Sequence, residues 1–240
     1  RSMGLTPSNR GVIRLFNAGL DDYSIYAVDL PGHGKSEGKS KLSIDEYSSD
    51  IIDFLDVMDL KKVCLVGHSM GAAIALNASL SRHWRICSVV AIGGASKMNV
   101  NHAILQGLQN TFEATVNSIV KYSWHKKTGA VADSEQMAAY FREKAKQRML
   151  DAGSKTVHGD FLACSNFDLS ARLEEIAVPV LVIASDCDRM VPLKVSREMA
   201  EKLPNSEFVS LENCGHFQHI EQTAKVAGEL VTFLSKLRNT

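Results

Sequence analysis

The chain has 240 residues, of which 45% are apolar and 22% are charged, as is ordinary for a globular protein with one α/β domain and room for a modest insertion. The 27 basic and 27 acidic residues cancel, so no basic face indicates nucleic-acid binding. No apolar run reaches membrane-spanning length, and the five cysteines lack the C-x-x-C spacing of a zinc site. We therefore expect a cytoplasmic protein that uses no metal or organic cofactor.

The first readable element is an apolar stretch followed by a glycine-rich turn. Residues 25–28 predict an early strand, and residues 29–36 follow as Asp-Leu-Pro-Gly-His-Gly-Lys-Ser. Asp29 and His33 are expected to hold this turn together through hydrogen bonds. His33 as a base or metal ligand is the alternative, but no second histidine or carboxylate accompanies it at ligand spacing.

A helix and a strand come next. Ser43-Ile44-Asp45-Glu46 is a capping box, which predicts a helix start at this point. An apolar face at helical spacing follows it. The helix leads into Val63–Val66, a short apolar run that predicts a strand. The residues of the apolar face are Ile44, Tyr47, Ile51, Leu55 and Met58.

The strand runs directly into Gly67-His68-Ser69-Met70-Gly71, and alanine-rich residues follow as a predicted helix. A G-x-S-x-G turn between a strand and a helix holds its serine in a strained conformation, and a side chain at either flanking glycine is expected to collide with its surroundings. The helix start favours developing negative charge. Ser69 is therefore the candidate nucleophile and the Met70 N–H the candidate oxyanion donor, whereas His68 is interpreted as a packed neighbour.

The next strand is predicted at Ser88–Gly94, and the pattern then changes. Residues 96–169 read as several helices, too many for a simple crossover between strands. We expect most apolar residues of this segment to join its own helices, and at most a third to face a substrate. These candidates are Leu105, Leu108, Phe112, Val116, Ile119, Tyr122, Trp124, Met137, Tyr140 and Phe141.

Two late strands carry the candidate acid and base. Pro179–Ala184 is a short β-branched strand that ends near Asp186 and Asp188. A serine nucleophile needs a histidine base and an acid that orients it, and the elbow architecture predicts the chain order serine, acid, histidine. Asp188 is the preferred acid; Asp186 is the alternative, because it lies nearer the strand end.

The candidate base follows the next strand, Glu207–Leu211, within Gly215-His216. His219 is a nearby competitor. It stands where the last helix begins, and we interpret it as a surface or capping residue. The order Ser69, Asp188, His216 thus matches the predicted one.

From Tyr23 to the C-terminus the chain resembles the α/β-hydrolase superfamily, in its serine esterase or lipase-like branch with a helical cap. In that family the late strand commonly ends in G-x-x-D-x-x-V-P, whose aspartate is the triad acid. Ser185 stands at the position of that glycine, Asp188 at the acid, and His216 follows a glycine as the family's catalytic histidine does. The resemblance implies a mostly parallel, doubly wound sheet with its core at 1–95 and 170–240 and a helical cap at 96–169.

The resemblance also implies a second oxyanion donor from an early loop that carries His-Gly and follows two or three strands. The 28 residues before Asp29 contain no His-Gly. Gly11–Leu20 reads as the helix after that loop and Met3–Thr6 as its remnant. We therefore expect that the first strands of the family are missing here, through truncation or in a shortened variant. Losing one such donor costs about 10²–10³ in turnover.

Two functions follow from these patterns. The first is a serine hydrolase that acts on a small uncharged ester or a similar acyl substrate, since the predicted cap is mostly apolar. A serine at position 69 argues against the haloalkane dehalogenases and epoxide hydrolases of this fold, which use an aspartate. The alternative is a non-catalytic ligand receptor or partner-binding module with an incomplete oxyanion hole. The sequence leaves the oligomeric state open.

Overall fold

The computed structural model describes residue 20 and residues 23–81, 84–125 and 135–238. Within these ranges the chain forms a sheet of four parallel strands in the order β1-β2-β3-β4. Parallel neighbours need a crossover connection, and helices provide it here. The strands are β1 (Val63–His68), β2 (Ile86–Ile92), β3 (Val180–Ser185) and β4 (Ser206–Leu211).

Helices connect and cover the strands. α5 contains a break at Gly153, whose φ of 82° and ψ of 161° are not helical. In the described ranges no helix combines the length and the apolar character needed to cross a membrane. The helices are α1 (Ile44–Val57), α2 (Met70–Leu80), α3 (His102–Asn110), α4 (Phe112–Ser123), α5 (Glu135–Asn166), α6 (Leu193–Lys202), α7 (Gln218–Glu221) and α8 (Thr223–Arg238), with a 3₁₀ turn at Leu173–Glu175.

The predicted capping box starts α1. The Ser43 hydroxyl accepts a hydrogen bond from the Glu46 N–H at 3.2 Å. The Glu46 carboxylate reaches back to the Leu42 N–H at 3.3 Å and to the Ser43 hydroxyl at 3.0 Å. This reciprocal arrangement satisfies donors that an open helix end leaves unpaired.

The central strands are buried on both faces, as a doubly wound fold requires. Val89 and Val182 pack on one face with residues of α1, α2 and α6. Their neighbours Val90 and Leu181 point to the other face and pack with α8, because successive side chains of a strand alternate. The predicted parallel, doubly wound sheet is confirmed.

The expected early strand at residues 25–28 is not observed as a strand. The backbone there is extended, but Ile25, Tyr26 and Val28 are 40–43% exposed. A strand needs a paired neighbour to satisfy its backbone groups, and β1 forms its described ladder with β2. The apolar pattern alone therefore did not determine a strand.

Helices α3, α4 and α5 follow β2 and precede β3, and they share an apolar cluster of their own. Leu108, Val116 and Trp124 are buried there. Tyr122 and Tyr140, by contrast, are half exposed. We call residues 102–166 the helical insertion; its role as a separate cap with the boundaries 96–169 remains a prediction.

Candidate active site

The three candidate catalytic residues follow three different strands of the sheet. Ser69 comes directly after β1, Asp188 three residues after β3, and His216 five residues after β4. The carboxyl ends of parallel strands meet at one edge of the sheet, where open α/β folds bind their ligands. The strand order thus brings residues from distant parts of the chain to a common edge.

Ser69 lies on a strained turn. Its φ of 54° and ψ of −116° are unfavourable for a residue with a side chain. The turn is held at both sides, because the Ser69 N–H donates to the Ile92 carbonyl at 2.9 Å and the Ala72 N–H donates to the Ser69 carbonyl at 2.9 Å. Such strain at the start of a helix matches the predicted nucleophile elbow.

The two glycines of the elbow have different roles. A Cβ on Gly67 would lie 2.0 Å from the Gly71 carbonyl oxygen, so this position needs glycine. A Cβ on Gly71 would meet no described atom within 4 Å. The expectation that any side chain would collide at both flanks is therefore wrong for Gly71, because a Cβ there would enter open space among the described residues.

Met70 is the first residue of α2, where backbone N–H groups have no acceptor within the helix. Its N–H is thus suited to bind a developing negative charge. The expected second donor falls on Met3–Thr6, and the helix expected after it on Gly11–Leu20. Both lie outside the described residues apart from Leu20.

His216 and Asp188 form a buried pair. The His216 Nδ1 lies 2.8 Å from Asp188 Oδ2, and their side chains are 6% and 1% exposed. The other oxygen, Oδ1, accepts hydrogen bonds from the backbone N–H groups of Met190 and Val191, both at 2.8 Å. The carboxylate therefore holds Nδ1 as a donor and leaves Nε2 as the basic nitrogen. Within the described part of the chain, no hydrogen bond joins Ser69 to His216; such contacts are often longer in the absence of substrate.

Asp186, the alternative acid, has a different environment. It is exposed, and its carboxylate accepts a hydrogen bond from the Cys214 N–H at 3.3 Å. Burial would raise the pKa of Asp186, but hydrogen bonds from the backbone of Asn213, Cys214 and Cys187 outweigh it and lower the pKa. Asp186 thus braces the turn between the acid and histidine loops, while Asp188 contacts the histidine.

Two further histidine rings pack beside His216. His68 donates from Nε2 to the His216 carbonyl at 2.6 Å, and its ring centroid lies 4.6 Å from those of His216 and His219. Burial, together with the neighbouring histidines, lowers the pKa of His68 well below its usual value. His68 is therefore a neutral packed residue, in line with its interpretation from the sequence.

The interpretation of His219 as a surface or capping residue is wrong. Its Nδ1 is buried and has no hydrogen-bond partner among the described residues, and its ring packs against that of His68. Burial, with smaller contributions from His216 and Arg148, lowers the pKa of His219 to about 4. His219 lies on the short helix α7, which turns its ring inward. The helical spacing in the sequence did not show this inward position.

Sequence reasoning missed two buried polar residues after His216. Gln218 is fully buried and donates to Asp188 Oδ2 at 3.1 Å. Glu221 is also buried, and its carboxylate accepts the N–H groups of His125, Gly215 and Phe217 at 3.0–3.1 Å. Burial raises the pKa of Glu221 despite these bonds. In the sequence, the only indication that Gln218 and Glu221 belong to the site was their position just after Gly215-His216.

The glycine-rich turn is held by more than its own residues. Asp29 accepts from the Lys35 N–H at 3.1 Å, as expected. His33, however, donates from Nδ1 to the Pro31 carbonyl at 3.1 Å and contacts Asp160 of α5 through Nε2 at 2.8 Å. The carboxylate that the sequence lacked at close spacing thus comes from 127 residues away. In the described ranges no group of three or more His, Cys, Asp or Glu residues is suited to a metal ion.

The chain is similar in sequence and fold to known hydrolases and esterases. The chain is similar to the "Uncharacterized hydrolase YugF" of Bacillus subtilis (strain 168), with 27% identity over 89% of this chain and 81% of the relative. It is 24% identical to the pimeloyl-[acyl-carrier protein] methyl ester esterase of Vibrio atlanticus (strain LGP32), over 90% of this chain and 85% of the relative. A solved thermophilic esterase has 28% identity and a TM-score of 0.79, with 92% of this chain and 84% of that chain covered. The family described as the alpha/beta hydrolase family matches residues 4–229. The chain therefore belongs to the α/β-hydrolase family.

Proposed function

We propose that the chain is a serine hydrolase that cleaves a carboxylic ester through a Ser69-His216-Asp188 triad. The observation that carries this proposal is the buried His216–Asp188 pair, whose Nδ1 and Oδ2 atoms lie 2.8 Å apart. The two residues stand on loops that follow the adjacent strands β3 and β4. These loops lie at the sheet edge at which β1 runs into the strained Ser69 elbow. A buried acid that accepts two backbone N–H groups can orient one imidazole nitrogen and stabilise the imidazolium that forms during reaction.

The steps follow from these positions. His216 Nε2 takes the Ser69 hydroxyl proton while Oγ attacks the acyl carbonyl, and the Met70 N–H stabilises the oxyanion. His216 then gives the proton to the leaving alcohol, and an acyl-enzyme remains. Water, activated by the same nitrogen, releases the acid and restores Ser69.

An ester substrate is supported by the relatives. The matching Vibrio protein is named a methyl ester esterase and the matching thermophilic structure an esterase. The apolar cluster of the helical insertion includes Phe217 and Met190, which are next to His216 and near Asp188 in the chain. This apolar neighbourhood favours a small or medium uncharged acyl group.

A non-catalytic ligand-binding protein is the second candidate. It is favoured by one observation, that Ser69 and His216 share no hydrogen bond within the described residues. A binding protein of this fold needs neither an activated serine nor a complete oxyanion hole.

The decisive experiment compares release of p-nitrophenol from a short-chain ester by the wild type and by Ser69→Ala, together with covalent labelling by a fluorophosphonate. A serine hydrolase loses turnover by about 10³-fold or more in the variant, and only the wild type is labelled. Absence of both labelling and Ser69-dependent turnover would contradict the proposal and favour the binding protein.

A further inference from the structure

A buried amide lies behind the candidate acid. Gln218 has no exposed surface, and its Nε2 donates to two acceptors: Asp188 Oδ2 at 3.1 Å and Ser185 Oγ at 2.9 Å. The same Oδ2 receives His216 Nδ1 at 2.8 Å. One carboxylate oxygen is therefore shared between the imidazole and the amide.

The serine that binds Gln218 also reaches the histidine loop. The Ser185 hydroxyl donates to the Gly215 carbonyl at 2.6 Å, so its oxygen is available to accept from Gln218. Ser185 stands where the related family pattern commonly has glycine. Its hydroxyl thus connects the end of β3 to the residue before His216, with Gln218 as the third member.

The orientation of the amide is determined by charge. The side that faces Asp188 has to be the NH₂ group, since an amide oxygen there would face a carboxylate oxygen. The other side, Oε1, lies beside Gly93, where a Cβ would come within 2.8 Å of it. Gly93 has a φ of +55°, and no described group donates to Gln218 Oε1. A buried polar atom without a partner is costly, so the hydrogen bonds of the NH₂ group to Asp188 and Ser185 are the ones that hold the amide in place.

We propose that Gln218 is a positioning residue that sets the basicity of His216 through Asp188. A hydrogen bond to a carboxylate withdraws part of its negative charge. The shared Oδ2 then attracts the imidazolium less strongly than an unshared carboxylate would, which weakens His216 as a base. The other titratable rings on this side, His68 at 4.6 Å from His216 and His219 at 4.6 Å from His68, are the same with and without the Gln218 amide. This inference rests on the proposed triad.

The test is Gln218→Met, which keeps the approximate volume and removes the donor. The acid limb of the kcat/KM profile for the p-nitrophenyl ester is expected to move up by about half to one pH unit. On the acid limb kcat falls several-fold, whereas KM stays within about twofold because Gln218 is fully buried behind Asp188.

Gln222→Met is the matched control. Gln222 is likewise buried and donates to the Glu212 carbonyl at 2.6 Å. Among the described residues its Oε1 has no partner and its side chain has no contact with the triad. The acid limb of the kcat/KM profile of Gln222→Met is expected to stay at the wild-type position. A limb that is unchanged or lower in Gln218→Met, or that moves equally in both variants, would overturn the proposal.

Two further measurements separate this inference from its foundations. The His216 ring titration, followed by NMR in the Ser69→Ala background, reports the shift without any turnover, so a failure of the proposed ester hydrolysis does not hide it. If Gln218→Met does not fold, Gln218→Glu keeps the side-chain shape. Two carboxyl groups at this distance share a proton, so a second ionisation is expected in the His216 titration. Its absence would contradict the contact.

Discussion

Two histidine–aspartate contacts of equal length occur among the residues that the structure describes, and only one of these two has the features of a catalytic pair. His216–Asp188 and His33–Asp160 are both 2.8 Å apart. The first is buried, with exposures of 6% and 1%, while the second is partly exposed, with 25% and 15%. Distance alone therefore does not identify an acid–base pair.

The difference lies in what the second ring nitrogen does. His33 faces an acceptor with each nitrogen, the Pro31 carbonyl and the Asp160 carboxylate. With an acceptor beside each nitrogen, the environment favours the protonated ring and leaves neither nitrogen free for another partner. Burial lowers the pKa of His33, but the hydrogen bond to the Asp160 carboxylate and the charge of that carboxylate outweigh it, so the pKa is raised. His216 uses only Nδ1 for its carboxylate, and Nε2 remains for chemistry.

The two pairs also join different parts of the molecule. Asp188 and His216 stand on loops of adjacent parallel strands, β3 and β4. Asp160 lies on α5 of the helical insertion, and it also accepts the Tyr47 hydroxyl from α1 at 2.7 Å. The first pair is suited to chemistry at the sheet edge. The second fastens the insertion to the glycine-rich turn.

The largest expected difference is in turnover. Asp188→Asn lowers kcat by about 10⁴-fold, because the amide no longer holds the imidazole in its reactive tautomer. Asp160→Asn lowers kcat by less than about tenfold, since His33 takes no part in proton transfer. Both are measured with a p-nitrophenyl ester, and Asp186→Asn is the matched control after β3. Equal losses in Asp160→Asn and Asp188→Asn would abolish the distinction between the pairs.

The second prediction concerns the strained Ser69 elbow beside the His216–Asp188 pair. Gly67→Ala is expected to lower the free energy of unfolding by about 3 kcal/mol, because its Cβ would meet backbone atoms that cannot move aside. Gly71→Ala changes it by less than about 1 kcal/mol, as its Cβ meets open space among the described residues. Urea unfolding of both variants measures the difference. A similar cost at the two glycines would be inconsistent with the elbow geometry.

The third prediction concerns the support of the His216 loop. Glu221→Gln offers one acceptor oxygen where two carboxylate oxygens now serve three backbone N–H groups. We expect a loss of about 2 kcal/mol in the free energy of unfolding, or roughly 4–8 °C in Tm. Calorimetry measures it, and Glu229→Gln on α8 is the control. An unchanged Tm would show that these bonds add no net stability.

The smallest expected effect distinguishes the pairs by pH. The folded-state pKa of His33 is raised, so its contribution to stability is fully present below the unfolded value of about 6.5 and is lost as the pH rises through the folded value. His33→Gln should therefore lower the free energy of unfolding by about 1 kcal/mol more at pH 5.5 than at pH 9.

Tyr47→Phe is the control for that experiment. It removes the other hydrogen bond to Asp160, and burial together with Asp160 raises the pKa of Tyr47, so this group stays neutral between those two pH values. Tyr47→Phe should therefore lower the free energy of unfolding equally at pH 5.5 and at pH 9. A cost of His33→Gln that does not vary with pH would mean that His33 is neutral in the folded protein.

The sequence by itself determined the local elements and the identity of the reactive residue types. The capping box of α1, the apolar strands β1 to β4 and the glycine-flanked Ser69 depend on interactions within a few residues, so short patterns predict them. The order serine, acid, histidine predicted which loops would carry the site, because parallel strands end at one edge. These predictions needed only chain order and spacing.

Only the tertiary structure decided which acid contacts His216 and which polar groups surround that contact. Asp186 and Asp188 are two residues apart, and the turn after β3, closed by Met190 and Val191, selects between them. The inward position of Gln218 and the partnership of His33 with Asp160 arise from packing between elements far apart in sequence. Long-range contacts follow from how helices and loops fill the space around the sheet, and no short sequence pattern encodes that.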